Sequence, residues 1–296
     1  MEERSDAVQR MQDYIASHLL EAFSLKALAK NSQYSPWHAH RLFVKVLKMS
    51  PGDYARKLKL SSSALELRDS KVLILDLALK YGYASVDGYQ RAFRKEFGCN
   101  PREYAKNPLP ITLFIPYGVK KTNRKVSDME ENTIFVQLIH KPERRAIIRR
   151  ARTAKAYYQY CEEVGCDVWG ILKSIKSING EPYAYWLPPQ MVRHGTSVYV
   201  QGVEVSPEFA APLPDGFEWI TLPESDYLLF QGEAYDDTAY EDAIGSLWRA
   251  IAKYDPARLG FSWNKDAPKI QMEPIGKRGY IELHPVRPLG QAALSL

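Results

Sequence analysis

The fifteen residues RLFVKVLKMSPGDYA at 41–55 return at 91–105 as RAFRKEFGCNPREYA, with Arg, Phe, Lys, Pro, Tyr and Ala at matching positions. The repeat extends upstream. Ile74, Leu77 and Ala78 match Leu25, Leu28 and Ala29 at an offset of 49, and Gly82-Tyr83 matches Gln33-Tyr34. One inserted residue then shifts the offset to 50. A chain built this way must fold the same small element twice, side by side in sequence.

Each copy reads as helices. Asp6–Ala22 places Val8, Met11, Ile15 and Leu19 at spacings of three and four, the pattern of one buried helical face. Ser24 can cap a short helix carrying Leu25, Leu28 and Ala29. Ser35-Pro36 starts the next, with Ser at the N-cap and Pro in the first turn, where its missing N–H costs little. Pro51–Arg68 forms a longer helical segment before the second copy begins.

On a helix over 36–47, Ala39, Leu42, Phe43 and Val46 form one apolar stripe. The other side presents Trp37, His40, Arg41, Lys45 and Lys48, with Ser35 at the cap. A core helix has no reason to expose Trp beside His and Arg, whereas a helix in a DNA major groove does. Arg can bind guanine O6 and N7 together, and an aromatic face can meet thymine methyl groups. In the second copy Tyr89, Ala92, Phe93 and Phe97 face inward, while Asp87, Gly88, Gln90, Arg91, Arg94 and Lys95 face outward. A short helix, a tight turn and an exposed second helix make a helix-turn-helix pattern. The connector Pro51–Arg68 spans about 27 Å at 1.5 Å per residue, near one helical turn of DNA. One monomer could therefore set two helices in successive major grooves.

Charge agrees with a polyanion partner. Residues 1–127 hold 22 Lys and Arg against 12 Asp and Glu, while residues 128–296 hold 18 against 23. Charge alone leaves a merely solvated basic surface open. His38-Ala39-His40 is no metal pair, because residues two apart on a helix point in nearly opposite directions. No cofactor is expected.

SQYSPWHAHRLFVKVLKMSPGDYARKLKLSSSALELR followed by ILDLALKYGYASVDGYQRAFRKEFGCNPREY resembles the double helix-turn-helix domain of the AraC/XylS transcription regulators, in particular the Rob/MarA/SoxS branch. The resemblance covers about residues 7–106. It implies that Trp37, His40 and Arg41 read bases from the first unit, with Asp87, Gly88 and Arg91 at the reading positions of the second. Three departures from the family pattern stand out. Gln33 occupies a turn position that is usually Gly, where a Cβ strains a positive φ. His40 replaces a Gln, so the sequence read should differ. Asp87 and Gly88 replace longer amides, so the second unit should discriminate bases less and hold phosphates more. Asp87 could instead serve only its own helix N-terminus.

Residues 108–132 read as a linker, with Pro108, Pro110 and Pro116, then KKTNRK at 120–125 and an acidic DMEE. Beyond it the period changes to strands: TIFVQLI, AIIRR, YAYWLP, SVYVQGVEV, YLLFQGEAY, KIQME and YIELHPV. Helical stretches at roughly 155–178 and 238–253 interrupt them. A weak second repeat is present: KPERRAIIR at 141–149 precedes LPESDYLLF by 81 residues, and SVYVQGVEV at 197–205 precedes RGYIELHPV by the same offset. The expected chain is multidomain. An all-α double helix-turn-helix domain occupies 1–107, a linker 108–132, and an α+β domain 133–290 with pseudo-twofold βαββ-type repeats.

This second domain resembles the GyrI-like effector-binding domains. The resemblance implies an aromatic pocket around a Glu on the last strand, here Glu282; the residues themselves, aromatic rings around a carboxylate, point to an amphipathic small-molecule effector such as a lipophilic cation. Tyr280 shares the parity of Glu282, so both point to one face of the strand. Trp169, Trp186, Tyr199 and Trp248 complete the candidate ligand site, although α+β cores also pack such aromatics. Carboxylate plus aromatic rings favours a cation.

The expected function is a transcription regulator that binds double-stranded DNA as a monomer, senses a small molecule and can contact RNA polymerase. Two alternatives stay open. The second domain could hydrolyse lipophilic electrophiles with Glu282 as base, or it could only dock a partner. No apolar run nears the ~18 residues of a membrane span, and no signal-peptide pattern starts the chain. Three scattered cysteines make no disulfide framework, which fits a cytoplasmic protein.

Overall fold

The computed structural model describes residues 2–116 and 133–290, so KKTNRK and most of the linker lie outside the described residues. The chain divides into two compact units, Met1–Asn123 and Arg124–Leu296.

The first unit is helical: α1 (Glu2–Ser17), α2 (Leu25–Ser32), α3 (Pro36–Leu47), α4 (Pro51–Asp69), α5 (Ile74–Lys80), α6 (Val86–Phe97) and α7 (Pro101–Lys106). Side-chain caps set most of the starts. Ser24, Ser35, Ser50 and Ser85 accept from the N–H groups of Ala27, His38, Asp53 and Gly88, and Asn100 accepts from Arg102. Each satisfies an amide that the first helical turn leaves without a partner. α1 stops at Ser17 rather than at Ala22, and the Ser17 hydroxyl bonds back to the Asp13 carbonyl at 2.8 Å in its last turn.

Two cores mirror the repeat. Val8, Met11, Leu28, Ala39, Leu42 and Phe43 close around Tyr54 and Ala55. Leu77, Ala78, Tyr89, Phe93 and Tyr104 close around Leu60, Ala64 and Leu67. The connector α4 thus contributes residues to both cores, and its 19 residues span about 28 Å. Spacing between α3 and α6 is fixed by packing as well as by length.

The second unit is one antiparallel sheet with helices on one face. Its elements are β1 (Phe135–Lys141), β2 (Arg144–Arg150), α8 (Tyr157–Val164), α9 (Val168–Ser174), β3 (Tyr183–Trp186), β4 (Tyr199–Val205), β5 (Phe217–Leu222), β6 (Ser225–Gln231), α10 (Tyr240–Lys253), β7 (Phe261–Trp263), β8 (Lys269–Gln271) and β9 (Ile281–Pro288). The strand order is β1-β6-β9-β8-β3-β4-β2-β5, with β7 beside β9. The order reads as a palindrome of halves, and β2 at 144–150 lies 81 residues before β6 at 225–231.

β5 and β7 join the expected strands, and the helix expected at 155–178 is two. Gly165, with φ 91°, ends α8 and redirects the chain into α9. Each half lends its first strand to the other. β1 pairs with β6 rather than β2, and β5 pairs with β2 rather than β6. Only two residues join β1 to β2, and two join β5 to β6, yet these strands lie near opposite ends of the order. Such short links reach at most about 11 Å, so the sheet must curl until its ends meet.

A buried ion cluster holds that crossing. Arg144 donates from Nη1 to the carbonyls of Pro142 at 3.1 Å and Pro223 at 3.3 Å, one from each link. Glu204, fully buried, pairs with Arg144 at 2.9 Å and Lys141 at 3.0 Å. Inside the curl lie Ala146, Ile148, Tyr185, Val200, Tyr227 and Leu283. On the outer face, Ile147, Tyr160, Leu172 and Tyr199 pack with α8 and α9, while Phe230, Leu247, Ile251 and Tyr280 pack with α10.

Candidate functional site

In the first unit, α3 buries Ala39, Leu42 and Phe43 and exposes Trp37, His38, His40, Arg41 and Lys45. Trp37 is 61% exposed, which is far from the burial expected of a packing Trp. The Arg41 guanidinium lies over its ring at 4.8 Å, so the two side chains form one exposed plate. His38 turns to the other side and stacks on Tyr34 at 4.6 Å. Ser35 is occupied by the α3 cap.

In α6, Tyr89 and Phe93 are buried, while Asp87, Arg91, Arg94 and Lys95 are exposed and Gly88 and Gln90 are half-buried. Asp87 lies in the first turn of the helix, and Arg91 donates to its carbonyl at 3.4 Å. Asp87, Gln90, Arg91, Arg94 and Asn100 line an open hollow. Its lining is polar, with two arginines, one aspartate and two amides, and without an exposed ring like Trp37.

The two turns also differ. Gln33 and Lys48 are the two non-glycine residues with positive φ among the described residues, at 63° and 58°. Their counterparts Gly82 and Gly98 have φ of 79° and 74°. The first unit accepts side chains where the second has glycine. A Cβ in the left-handed region costs about 1–2 kcal/mol.

In the second unit Glu282 is 2% exposed and faces α10. Oε1 accepts from Trp248 Nε1 at 2.6 Å and from the Tyr280 hydroxyl at 2.7 Å, and Oε2 meets His284 Nε2 at 2.9 Å. Burial pushes this carboxyl up. Contact with His284, then the donors Trp248 and Tyr280, outweigh that, and the group sits below the ordinary glutamate range. Tyr280 is pushed far up by burial and by the Glu282 charge, so it stays a donor.

The network continues across the sheet. Gln271 lies opposite Glu282, hydrogen-bonds Tyr280 and accepts from the Tyr199 hydroxyl at 3.2 Å. Trp186 packs edge-on against Tyr199 at 5.2 Å. Trp169 points elsewhere: its Nε1 donates to Glu273 at 3.2 Å, and Lys173 holds the other Glu273 oxygen.

Glu282, Tyr280 and Trp248 thus meet directly, and Tyr199 and Trp186 join through Gln271. Trp169 belongs to a separate indole–carboxylate pair. Sequence reasoning missed His284 and Gln271. The parity of His284 with Glu282 could have found the first, whereas Gln271 depends on cross-strand register.

A family model described as a helix-turn-helix domain matches residues 28–107. The regulatory protein SoxS of Salmonella typhimurium is 34% identical over 97 residues, covering 33% of this chain and 91% of SoxS. The chain belongs to the AraC family. It is a DNA-binding transcription regulator of the AraC type, and its homologues are regulators rather than enzymes. The HTH-type transcriptional activator AarP of Providencia stuartii is 30% identical over 101 residues, 34% of this chain and 75% of AarP. The right origin-binding protein of Escherichia coli is 38% identical over 95 residues, 32% of this chain and 33% of that protein. Among the described residues no helix is long and apolar enough to cross a membrane.

Proposed function

We propose that this AraC-type regulator reads DNA as a monomer, mainly through Trp37, His40 and Arg41, and senses a lipophilic cation at Glu282 in a GyrI-like domain. Lys45, Gln90, Arg91, Arg94 and Lys95 serve the phosphate backbone and the edges of the site, with Asp87 and Gly88 contributing little discrimination. Bound effector would change DNA affinity or contact with RNA polymerase, which requires unequal affinity for two states.

The contrast between two buried glutamates carries the effector reading. Glu204 is locked by Arg144 and Lys141. Among the described residues Glu282 has neutral donors and a single ion-pair partner, His284. A buried anion without Lys or Arg is a place where a cation gains most. Trp248, 48% exposed, donates its indole N–H to Glu282 and so sets an accessible aromatic ring beside the carboxylate, the pairing a lipophilic cation favours. The same hydrogen bonds make Glu282 a weak general base, which favours binding over hydrolysis.

Titration with tetraphenylphosphonium or a rhodamine dye, followed by Trp fluorescence, tests this. Glu282→Gln should weaken binding by about 1.5–3 kcal/mol, roughly ten- to a hundredfold. The depressed carboxyl keeps its charge as pH falls through the ordinary carboxylate range, so binding should persist there and fade only below it. Equal affinity of the wild type and Glu282→Gln would remove the carboxylate from the site.

A further inference from the structure

Three features at the end of α8 converge on its two cysteines. The Gly165 N–H closes the last turn onto the Cys161 carbonyl at 2.9 Å, and the chain then leaves with φ 91° at Gly165. The positive φ reserves that position for glycine, whereas the one close neighbour a Cβ would meet, Asp167 Oδ1 at 2.7 Å, is the end of a side chain that can turn aside. The turn brings the exposed Cys166 back to half-buried Cys161, and the two side chains are in hydrogen-bond contact. Packing does not require a thiol at the exposed position.

We propose that Cys161 and Cys166 form a reversible dithiol–disulfide pair that responds to hydroperoxides. Cys166, exposed, attacks the peroxide oxygen as its thiolate and becomes a sulfenic acid; the O–O bond breaks, and the expelled hydroxide or alkoxide takes up the proton that the thiol had released and leaves as water or an alcohol. The Cys161 sulfur then displaces hydroxide from the sulfenic sulfur, and the departing oxygen leaves as water with the Cys161 proton. Two thiols and one peroxide thereby give one disulfide, with two electrons passing to the peroxide. Burial pushes the Cys161 thiol up to about 11, which suits it to resolve rather than to attack first. Disulfides of this transient kind are the ones reducing compartments tolerate. The location gives the pair something to act on. Tyr158 of the same helix donates to Glu241 at 3.0 Å and meets Tyr240, so α8 is tied to α10, the helix that carries Trp248.

The chain supplies its own control, because Cys99 lies in the other unit, packed against the core around Phe93. Native protein is exposed to hydrogen peroxide, blocked with an alkylating reagent and digested. A glutamate-specific protease cuts between the cysteines at Glu162 or Glu163, so the fragments stay joined only if the disulfide has formed. The expected result is a Cys161–Cys166 link that dithiothreitol reverses, with Cys99 alkylated throughout. In Cys161→Ser, Cys166 should stall as a sulfenic acid that dimedone traps; in Cys166→Ser, Cys161 should stay alkylatable. Circular dichroism confirms that both conservative variants fold. The proposal is overturned if wild-type Cys166 proceeds to sulfinic acid or links to another chain while Cys161 remains alkylatable, or if Cys99 reacts equally.

Discussion

The two helix-turn-helix units share a plan and divide its uses. Both bury an aromatic at the same point of the second helix, Phe43 in one and Phe93 in the other, and both are fully buried. Both take core residues from α4. They differ where the fold imposes nothing. α3 exposes a Trp–Arg plate, while α6 exposes Asp87 and a row of cations. The turns differ as well, with Gln33 and Lys48 against Gly82 and Gly98. Duplication kept the cores and released the surfaces, so reach along DNA and base reading need not be shared equally.

The largest expected effect tests the shared part. Phe43→Ala and Phe93→Ala should each cost about 3–5 kcal/mol in chemical denaturation, since each removes a fully buried ring. A much smaller loss at Phe93 would mean that the second unit is not held as the first is. Next comes the surface of α6. Arg94→Ala should weaken selected and random DNA alike and reduce the salt dependence by about one phosphate contact. Loss confined to the selected site would instead make α6 a base reader. The smallest effects lie in the turns. Gln33→Gly and Lys48→Gly should stabilise by up to about 1 kcal/mol, whereas Gly82→Ala and Gly98→Ala should destabilise by a similar amount. Opposite signs in the two units are the point to check in thermal melts.

The helical unit was largely legible because its signals are local. Ser caps, Pro at first helical positions and apolar spacing all lie within a few residues of the elements they set. The 81-residue repeat likewise exposed the halves of the second unit. The exchange of first strands was hidden, because KPERRAIIR and LPESDYLLF each look like ordinary hairpins and their partners lie far along the chain. β5 escaped notice because Glu218 interrupts its apolar run; Arg150 beside it and Arg193, at 2.8 Å, are what allow a charge there. Parity placed Glu282 and Tyr280 together, but Trp169 was assigned by aromatic character, and only the fold shows it bound to Glu273.

The division of labour is most directly tested by one comparison. A binding site is selected from random duplexes, and Arg41→Ala and Arg91→Ala are each measured on the selected site and on random DNA at fixed salt. Arg41→Ala should lose about 1–3 kcal/mol on the selected site and little on random DNA, and should relax specificity at one base pair. Arg91→Ala should lose similar amounts on both. The reverse pattern, or base-specific losses of equal size in both variants, would contradict an unequal pair of readers.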